Sequence, residues 1–251
     1  MATQNVYDDP DFFAAYLKLR RSVQGLAGAP EWPALSGLLP DLAGQRVLDL
    51  GCGLGWFGRW ARAQGAASVL AVDVSASMLT RARAMTGDAA IEFREMDLEQ
   101  ARFEAGAFDL AFSSLTFHYL ADLDRLLAGI GDSLRPGGTL VFSVEHPIFT
   151  ASSRQQWITT GDGRRIWPVE RYAVEGPRLF DWLGAAVVKQ HRTFGTWVGA
   201  LLRQGFVLRH VQDWSPSARQ VRDDPTLAAE IERPMFLLIR ADRPEGRSGR
   251  G

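Results

Sequence analysis

A single cysteine, Cys52, stands in a chain of 251 residues. One thiol excludes an internal disulfide framework and any cysteine-rich zinc site. Long apolar runs are missing too: none approaches the roughly 20 residues that a membrane-spanning helix needs. The N-terminus, MATQNVYDDPDFF, lacks a basic segment followed by an apolar one. No secretory signal is therefore evident, and the cytoplasm is the expected location. Charge of one sign is absent as well, the formal net charge being −1. That argues against a broad basic surface for nucleic acid. Neither nucleic acid nor a membrane is expected as a partner, and the sequence carries no signal for oligomeric state. No cluster of carboxylates has metal-ligand spacing, so no metal is expected. There is no internal repeat. What is present is an ordinary globular composition, 46% hydrophobic and 23% charged, in a chain long enough to bury a sizeable core. A single domain over 1–251 is expected.

Along the chain, residues 10–27 have helical spacing, with Phe13, Leu17 and Arg20 recurring. A second short helix is expected at 35–39. Then an alternation sets in. Strands are expected at 46–50, 68–72, 91–95, 108–113 and 139–144, with helices at 54–64, 75–85 and 120–134. Ser75 is placed to cap its helix, and Arg135-Pro136-Gly137-Gly138 reads as a turn. Strands alternating with helices imply βαβ units, hence a parallel sheet covered on both faces. The alternation breaks at Pro147. Residues 148–190 hold Trp157, Trp167, Tyr172, Phe180 and Trp182 among scattered Gly and Pro, which suggests a lid or wall over a site. The pattern resumes with a helix near 193–204, a strand at 206–211, a short helix near 225–230 and a strand at 235–240. The tail, 242–251, is expected to be disordered.

The first strand runs into VLDLGCGLGWFGRW. Gly53-x-Gly55-x-x-Gly58 fits a dinucleotide fingerprint, and Gly51-x-Gly53-x-Gly55 fits a nucleoside-binding loop. Both need glycine because the backbone turns sharply and a ligand approaches the main chain closely. The second strand ends in Asp73, where a carboxylate can accept from ribose hydroxyls. That suits NAD as well as other adenine nucleosides. Asp49 separates them. An acid just before the glycines attracts an ammonium group and repels a pyrophosphate. A ligand with a ribose at one end and an amino acid at the other suits both carboxylates, and S-adenosylmethionine is such a molecule.

VLDLGCGLGWF, AVDVS, FREMDLEQ, FDLAFSSLTFHYL and LRPGGTLVFSVEHP, in that order over about 46–147, resemble the motif series of class I S-adenosylmethionine-dependent methyltransferases. The N-terminal YDDPxFFxxY segment and the late stretch Lys189-Gln190-His191-Arg192-Thr193 to Gly205-Phe206 resemble a bacterial branch of that superfamily regarded as small-molecule methyltransferases. Some relatives there methylate nitrogen on heteroaromatic compounds. The resemblance implies an α/β fold: a seven-stranded, doubly wound, Rossmann-like sheet whose last strand is antiparallel. N-terminal helices and an aromatic-rich lid between strands five and six complete it. It further implies that Gly51, Gly53 and Gly55 line the methionine and ribose parts of S-adenosylmethionine and that Asp73 holds the ribose hydroxyls. Asp97 would accept from the adenine amino group, Leu98 would offer a backbone N–H, and Ser113 and Ser114 would lie beside the sulfonium.

The acceptor side is less determined. His118, after the fourth strand, and His146, at the end of the fifth, are the candidate catalytic residues, with Glu145 beside them. Each is weighed against simple packing. His191 either reaches over the site or caps the helix at Thr193. The aromatic insertion either fills a core or walls a pocket for a flat acceptor, whose nitrogen or oxygen would be methylated. Two other functions stay open from the residues alone: an NAD-dependent oxidoreductase, and a non-catalytic nucleoside-binding module. After the fourth strand stands SSLTFHY, not the Pro-Pro-aromatic stretch of base-amino DNA methyltransferases.

Overall fold

A computed structural model of the protein describes residues 4–152 and 154–245. Two short helices come first, α1 (Pro10–Tyr16) and α2 (Arg20–Val23), followed by α3 (Trp32–Ser36). The single helix expected over 10–27 is thus broken. Asp9 starts α1 by accepting from the Asp11 and Phe12 amides, and the chain turns extended at Leu19 before α2. The break brings Tyr16, Leu19 and Arg21 onto one cavity wall.

The alternation that follows is β1 (Arg46–Leu50), α4 (Trp56–Ala63), β2 (Ser68–Asp73), α5 (Ala76–Ala84), β3 (Ile91–Glu95), β4 (Phe108–Ser114), α6 (Leu123–Ser133) and β5 (Leu134–Glu145). Ser75 caps α5 by accepting from the Met78 amide. The expected Arg135–Gly138 turn lies within β5 as an irregularity: Phe108 pairs with Leu134, while Leu110 pairs with Thr139. The expected insertion folds as α7 (Pro147–Ala151) and two hairpins, β6 (Ile158–Thr159) with β7 (Arg165–Ile166), and β8 (Gly176–Trp182) with β9 (Ala185–His191). The chain closes with α8 (Phe194–Arg203), β10 (Val207–Trp214), α9 (Ala218–Asp223), α10 (Ala229–Glu232) and β11 (Phe236–Asp242).

The main sheet has seven strands in the order β10-β11-β5-β4-β1-β2-β3. β11 runs antiparallel to both of its neighbours, and the β1–β2, β1–β4, β2–β3 and β4–β5 pairs are parallel. The alternation of side chains across the strands divides the core into two. Leu48 and Leu50 of β1 pack with Leu126, Ile130 and Trp197 on one face. Val47 packs with Leu35, Phe57 and Phe112 on the other. A parallel sheet covered on both faces has interior strands that are apolar on both sides, and β1 reads that way except at Asp49.

The expected disordered tail begins too early. Asp242 is the last residue of β11, and Arg243 is tied in by backbone bonds with Gly137 and Gly138. Residues 246–251 lie outside the described residues. Among the described residues, no helix is long and apolar enough to cross a membrane.

Candidate active site

The glycine loop leaves β1 at its carboxyl end, where ligands bind in open α/β sheets. Its three glycines all have positive φ, +74° at Gly51, +51° at Gly53 and +70° at Gly55, but for different reasons. A Cβ on Gly51 would run into the Thr116 side chain, and one on Gly55 would lie 2.7 Å from the Phe93 ring. Those two serve the packing of the loop, and Gly55 also starts α4. A Cβ on Gly53 would meet nothing within 4 Å. Gly53 is therefore the position where the loop faces open space.

That space is a cavity of about 460 Å³ above the strand ends. Gly51, Gly53, Asp73 and Leu98 line it on the β1–β3 side. Asp73 accepts from the amides of Gly53 (2.8 Å) and Ser75 (2.9 Å). These bonds orient the carboxylate and leave lone pairs for hydroxyls, since each carboxylate has about four acceptor sites. Asp97 Oδ1 accepts from the Glu99 amide at 2.9 Å and so holds the turn that presents Leu98. Asp97 itself is not among the lining residues.

A smaller cavity of about 100 Å³ continues from the first and shares Tyr16, Arg21, Gly51, Gly53 and Ser114 with it. Asp49 lines it and is only 2% exposed. Burial, together with the nearby Asp73 carboxylate, pushes the Asp49 carboxyl up to about 8. Two polar atoms of this lining, Glu31 Oε2 and Trp56 Nε1, are buried with no hydrogen-bond partner. Such groups are rare in folded proteins and point to a missing partner. One is a carboxylate oxygen and one a donor, the complement of an amino acid's ammonium and carboxylate.

The expected residues of β4 and β5 do not all reach the cavity. Ser113 does not: it is fully buried and its hydroxyl donates to the Leu50 carbonyl at 2.8 Å. Its neighbour Ser114 lines both cavities. His146 does not either. The alternation of β5 points Glu145 to the cavity and its neighbour away. His146 Nδ1 accepts from the Ile148 amide at 3.0 Å, so Nε2 carries the proton and bonds Asp213 at 2.8 Å. It starts α7 and ties it to β10. His191 is also structural, bridging Thr150 Oγ1 and the Tyr172 carbonyl; it neither reaches the site nor caps α8, whose cap is Thr193.

His118 does line the cavity and is 2% exposed. Burial, with Lys189 and Arg192 nearby, holds its pKa well below the usual histidine range. The ring is neutral, and its Nδ1 accepts from the Glu145 amide at a long 3.4 Å. That contact favours the proton on Nε2, where the ring would donate. Glu145 Oε1 pairs with Lys189 Nζ at 2.6 Å. Burial raises the Glu145 carboxyl above its ordinary value, against the pull of Lys189.

Of the five aromatics expected to wall a pocket, only Trp182 lines the cavity. Trp157 and Trp167 instead surround the Arg233 guanidinium together with Phe149, Phe180 is buried, and Tyr172 packs on His191. The missing wall comes from the N-terminus. Tyr7 and Tyr16 pack edge-on at 5.2 Å, Trp182 packs on Tyr16 and Phe12, and the Tyr7 and Tyr119 hydroxyls are 3.3 Å apart. Asp8 fastens this strap to the start of α5 through Ser75 Oγ and the Ser77 amide. Gln4 Oε1 accepts from the Val188 amide of β9 at 2.7 Å. The YDDPxFFxxY segment was the available signal. Its contact with the site was not, because no local pattern pairs it with β9.

A family profile described as a methyltransferase domain matches residues 48–142. The crystal structure of an S-adenosylmethionine-dependent methyltransferase from Mesorhizobium loti is 50% identical, with a TM-score of 0.85 over 87% of this chain and 100% of that one. The chain belongs to the S-adenosylmethionine-dependent methyltransferases. An uncharacterised protein of Haemophilus influenzae is 32% identical over 96% of this methyltransferase and 98% of its own length. The malonyl-[acyl-carrier protein] O-methyltransferase of Erwinia billingiae is 41% identical over only 40% of this chain and 39% of its own. S-adenosylmethionine is the cofactor, and the oxidoreductase and non-catalytic alternatives fall with this membership. The residues present fit it: an open cradle at Gly53, a carboxylate fixed at Asp73, and a small cavity whose unpartnered atoms match an amino acid. Among the described residues, no group of three or more His, Cys, Asp or Glu could hold a metal ion.

Proposed function

We propose that this methyltransferase acts on a small molecule, at a nitrogen or oxygen of an aromatic or heteroaromatic acceptor held in the 460 Å³ cavity. The observation that carries the reading is the roof. The strap and the β8–β9 hairpin meet through the Gln4–Val188 bond, and Tyr7, Tyr16 and Trp182 join the cavity lining there. A space bounded in this way suits an apolar acceptor that enters whole.

Gly51, Gly53, Asp49 and the small cavity are assigned to the methionine end of the cofactor, Asp73 to the ribose, and Leu98, presented by the turn that Asp97 holds, to the adenine. Of the two serines expected beside the sulfonium, Ser114 alone is assigned there. S-adenosylmethionine supplies a methyl group on a sulfonium, a leaving group that needs no acid from the protein. The chain's own residues then have to align the acceptor and exclude water. His118 Nε2–H serves as a donor that orients the acceptor, and the roof shuts out solvent.

The test is S-adenosylhomocysteine formation by the full-length protein with S-adenosylmethionine. The acceptors are a panel of phenols and nitrogen heterocycles, with acyl carrier protein and tRNA alongside. Acceptor-dependent turnover on the panel is expected. Turnover on the macromolecules alone would overturn the reading.

A further inference from the structure

The far wall of the cavity, where the end of β5 meets β9 and α10, is built on two buried ion pairs. Glu145 pairs with Lys189, and Glu230 pairs with Arg233. β5 stands two strands from β1 in the sheet, about 10 Å at the usual spacing of about 4.8 Å. This wall is therefore distinct from the glycine loop. Buried ion pairs are poor stabilisers, and apolar residues of similar volume often do as well. Their presence on a cavity wall calls for another reason.

The two pairs share an asymmetry. Each carboxylate gives one oxygen to its cation, and each has a second oxygen, Glu145 Oε2 and Glu230 Oε2, that is buried without a hydrogen-bond partner. The Glu230 side chain is only 9% exposed and that of Glu145 is 14% exposed, yet both residues line the cavity. The cations touch aromatic rings as well as their carboxylates. Lys189 Nζ lies over the rings of Phe180 (5.3 Å) and Trp182 (5.4 Å). The Arg233 guanidinium lies over Trp167 (4.2 Å) and Phe149 (4.6 Å), and Arg233 is not a lining residue. The aromatic rings fix each cation on the one oxygen it pairs with, and the second oxygen of each carboxylate is left without a donor. A buried acceptor without a donor costs free energy that a ligand N–H would recover.

We infer that Glu145 and Glu230 form an amine-recognition wall, so that the acceptor is a small amine whose apolar body lies against Trp214 and Phe236. It reacts as the free amine: two N–H groups donate to the two carboxylates, the lone pair attacks the methyl as the carbon–sulfur bond breaks, and the product leaves as the methylated ammonium, so no proton has to be taken from it in the transfer. The inference rests on the proposed small-molecule reading and names the substrate class for it.

The probes are benzylamine, benzyl alcohol and phenylacetate, matched in size and differing in charge and donors. Binding is measured by calorimetry on the full-length protein saturated with S-adenosylhomocysteine. Benzylamine is expected to bind at least tenfold more tightly than the other two. Glu145→Gln and Glu230→Gln should each weaken it about tenfold or more while leaving S-adenosylhomocysteine affinity within twofold. Glu145→Gln leaves Lys189 buried without its anion and could fail to fold; the double variant Glu145→Gln, Lys189→Met removes both charges and should show the same loss. Equal or tighter binding of phenylacetate, no binding of benzylamine at millimolar concentration, or benzylamine affinity unchanged in the folded variants would overturn the inference. S-adenosylhomocysteine affinity is read separately in every arm, so loss of the cofactor reading itself would be seen as its absence in the wild-type protein.

Discussion

Asp49→Asn should change how stability depends on pH. The Asp49 carboxyl is raised from an ordinary 3.8 to about 8 by burial and by Asp73. Between those values the folded chain keeps a proton that the unfolded chain has released. Stability due to this group therefore falls as pH rises from about 4 to about 8 and is constant outside that window. One proton contributes about 1.4 kcal/mol per pH unit, so from pH 5 to pH 7 the wild type loses about 2.7 kcal/mol through Asp49 alone. For a domain of this size that corresponds to roughly 5–10 °C in Tm. Asparagine is neutral throughout. The assay is a pair of thermal melts of the cofactor-free proteins across pH 5–7. The difference in Tm, variant minus wild type, should widen by about that amount with rising pH. Saturating S-adenosylhomocysteine should narrow it, because an ammonium beside Asp49 favours the ionised form. Parallel curves, with no widening, would refute both the burial argument and the placement of the ammonium there.

Asp73→Ala should weaken S-adenosylmethionine binding by about 1.5–3 kcal/mol, the range for hydrogen bonds to a charged group. Gly53→Val should be worse, because a branched residue is strained at a φ of +51° and fills the cradle; calorimetry reads both. His118→Ala should reduce turnover less than tenfold and leave no histidine limb in the pH profile, since a donor is lost and not a base; a loss of about 100-fold would restore the base role. His146→Ala should leave turnover unchanged but lower stability by about 1–3 kcal/mol in denaturant titration, through the lost Asp213 bond and the uncapped Ile148 amide. Asp8→Ala should free the strap while α5 keeps its Ser75 cap, seen as faster proteolysis within the first nine residues and faster release of S-adenosylhomocysteine.

The glycine loop and Asp73 were readable in the sequence for a physical reason. A parallel strand, a positive-φ loop and a carboxylate at the next strand end are all local, and their spacing is set by the strand itself. The strands at 46–50 and 91–95 coincide with the observed ones. Where reading failed, the answer depended on a partner far along the chain. His118 and His146 look alike in sequence, each following a strand, but the facing of β5 and the position of Asp213 send His146 away. Ser113 and Ser114 differ by one residue, which in a strand means opposite faces. Trp157 and Trp167 read as pocket walls because nothing local shows that Arg233 sits between them. Gly55 falls within the ligand loop, yet its constraint comes from Phe93 on another strand.

That difference also decides how far the relatives can speak for the acceptor. The profile match ends at residue 142, before Glu145, Lys189, Glu230 and Arg233, and begins after the strap. It covers the strands to which the cofactor is assigned and none of the roof or far wall. The Erwinia billingiae protein likewise shares only 40% of this chain. Class I folds graft different chemistry onto one cofactor cradle. The acceptor must therefore be read from parts of the chain outside that cradle. Those parts come from opposite ends of the sequence, the strap and the segments after β5, and they touch each other at Gln4 and Val188. A variant that loosens the strap should therefore change the KM for the acceptor in steady-state kinetics, and an unchanged KM in a folded Asp8→Ala protein would count against the strap as a wall of the acceptor site.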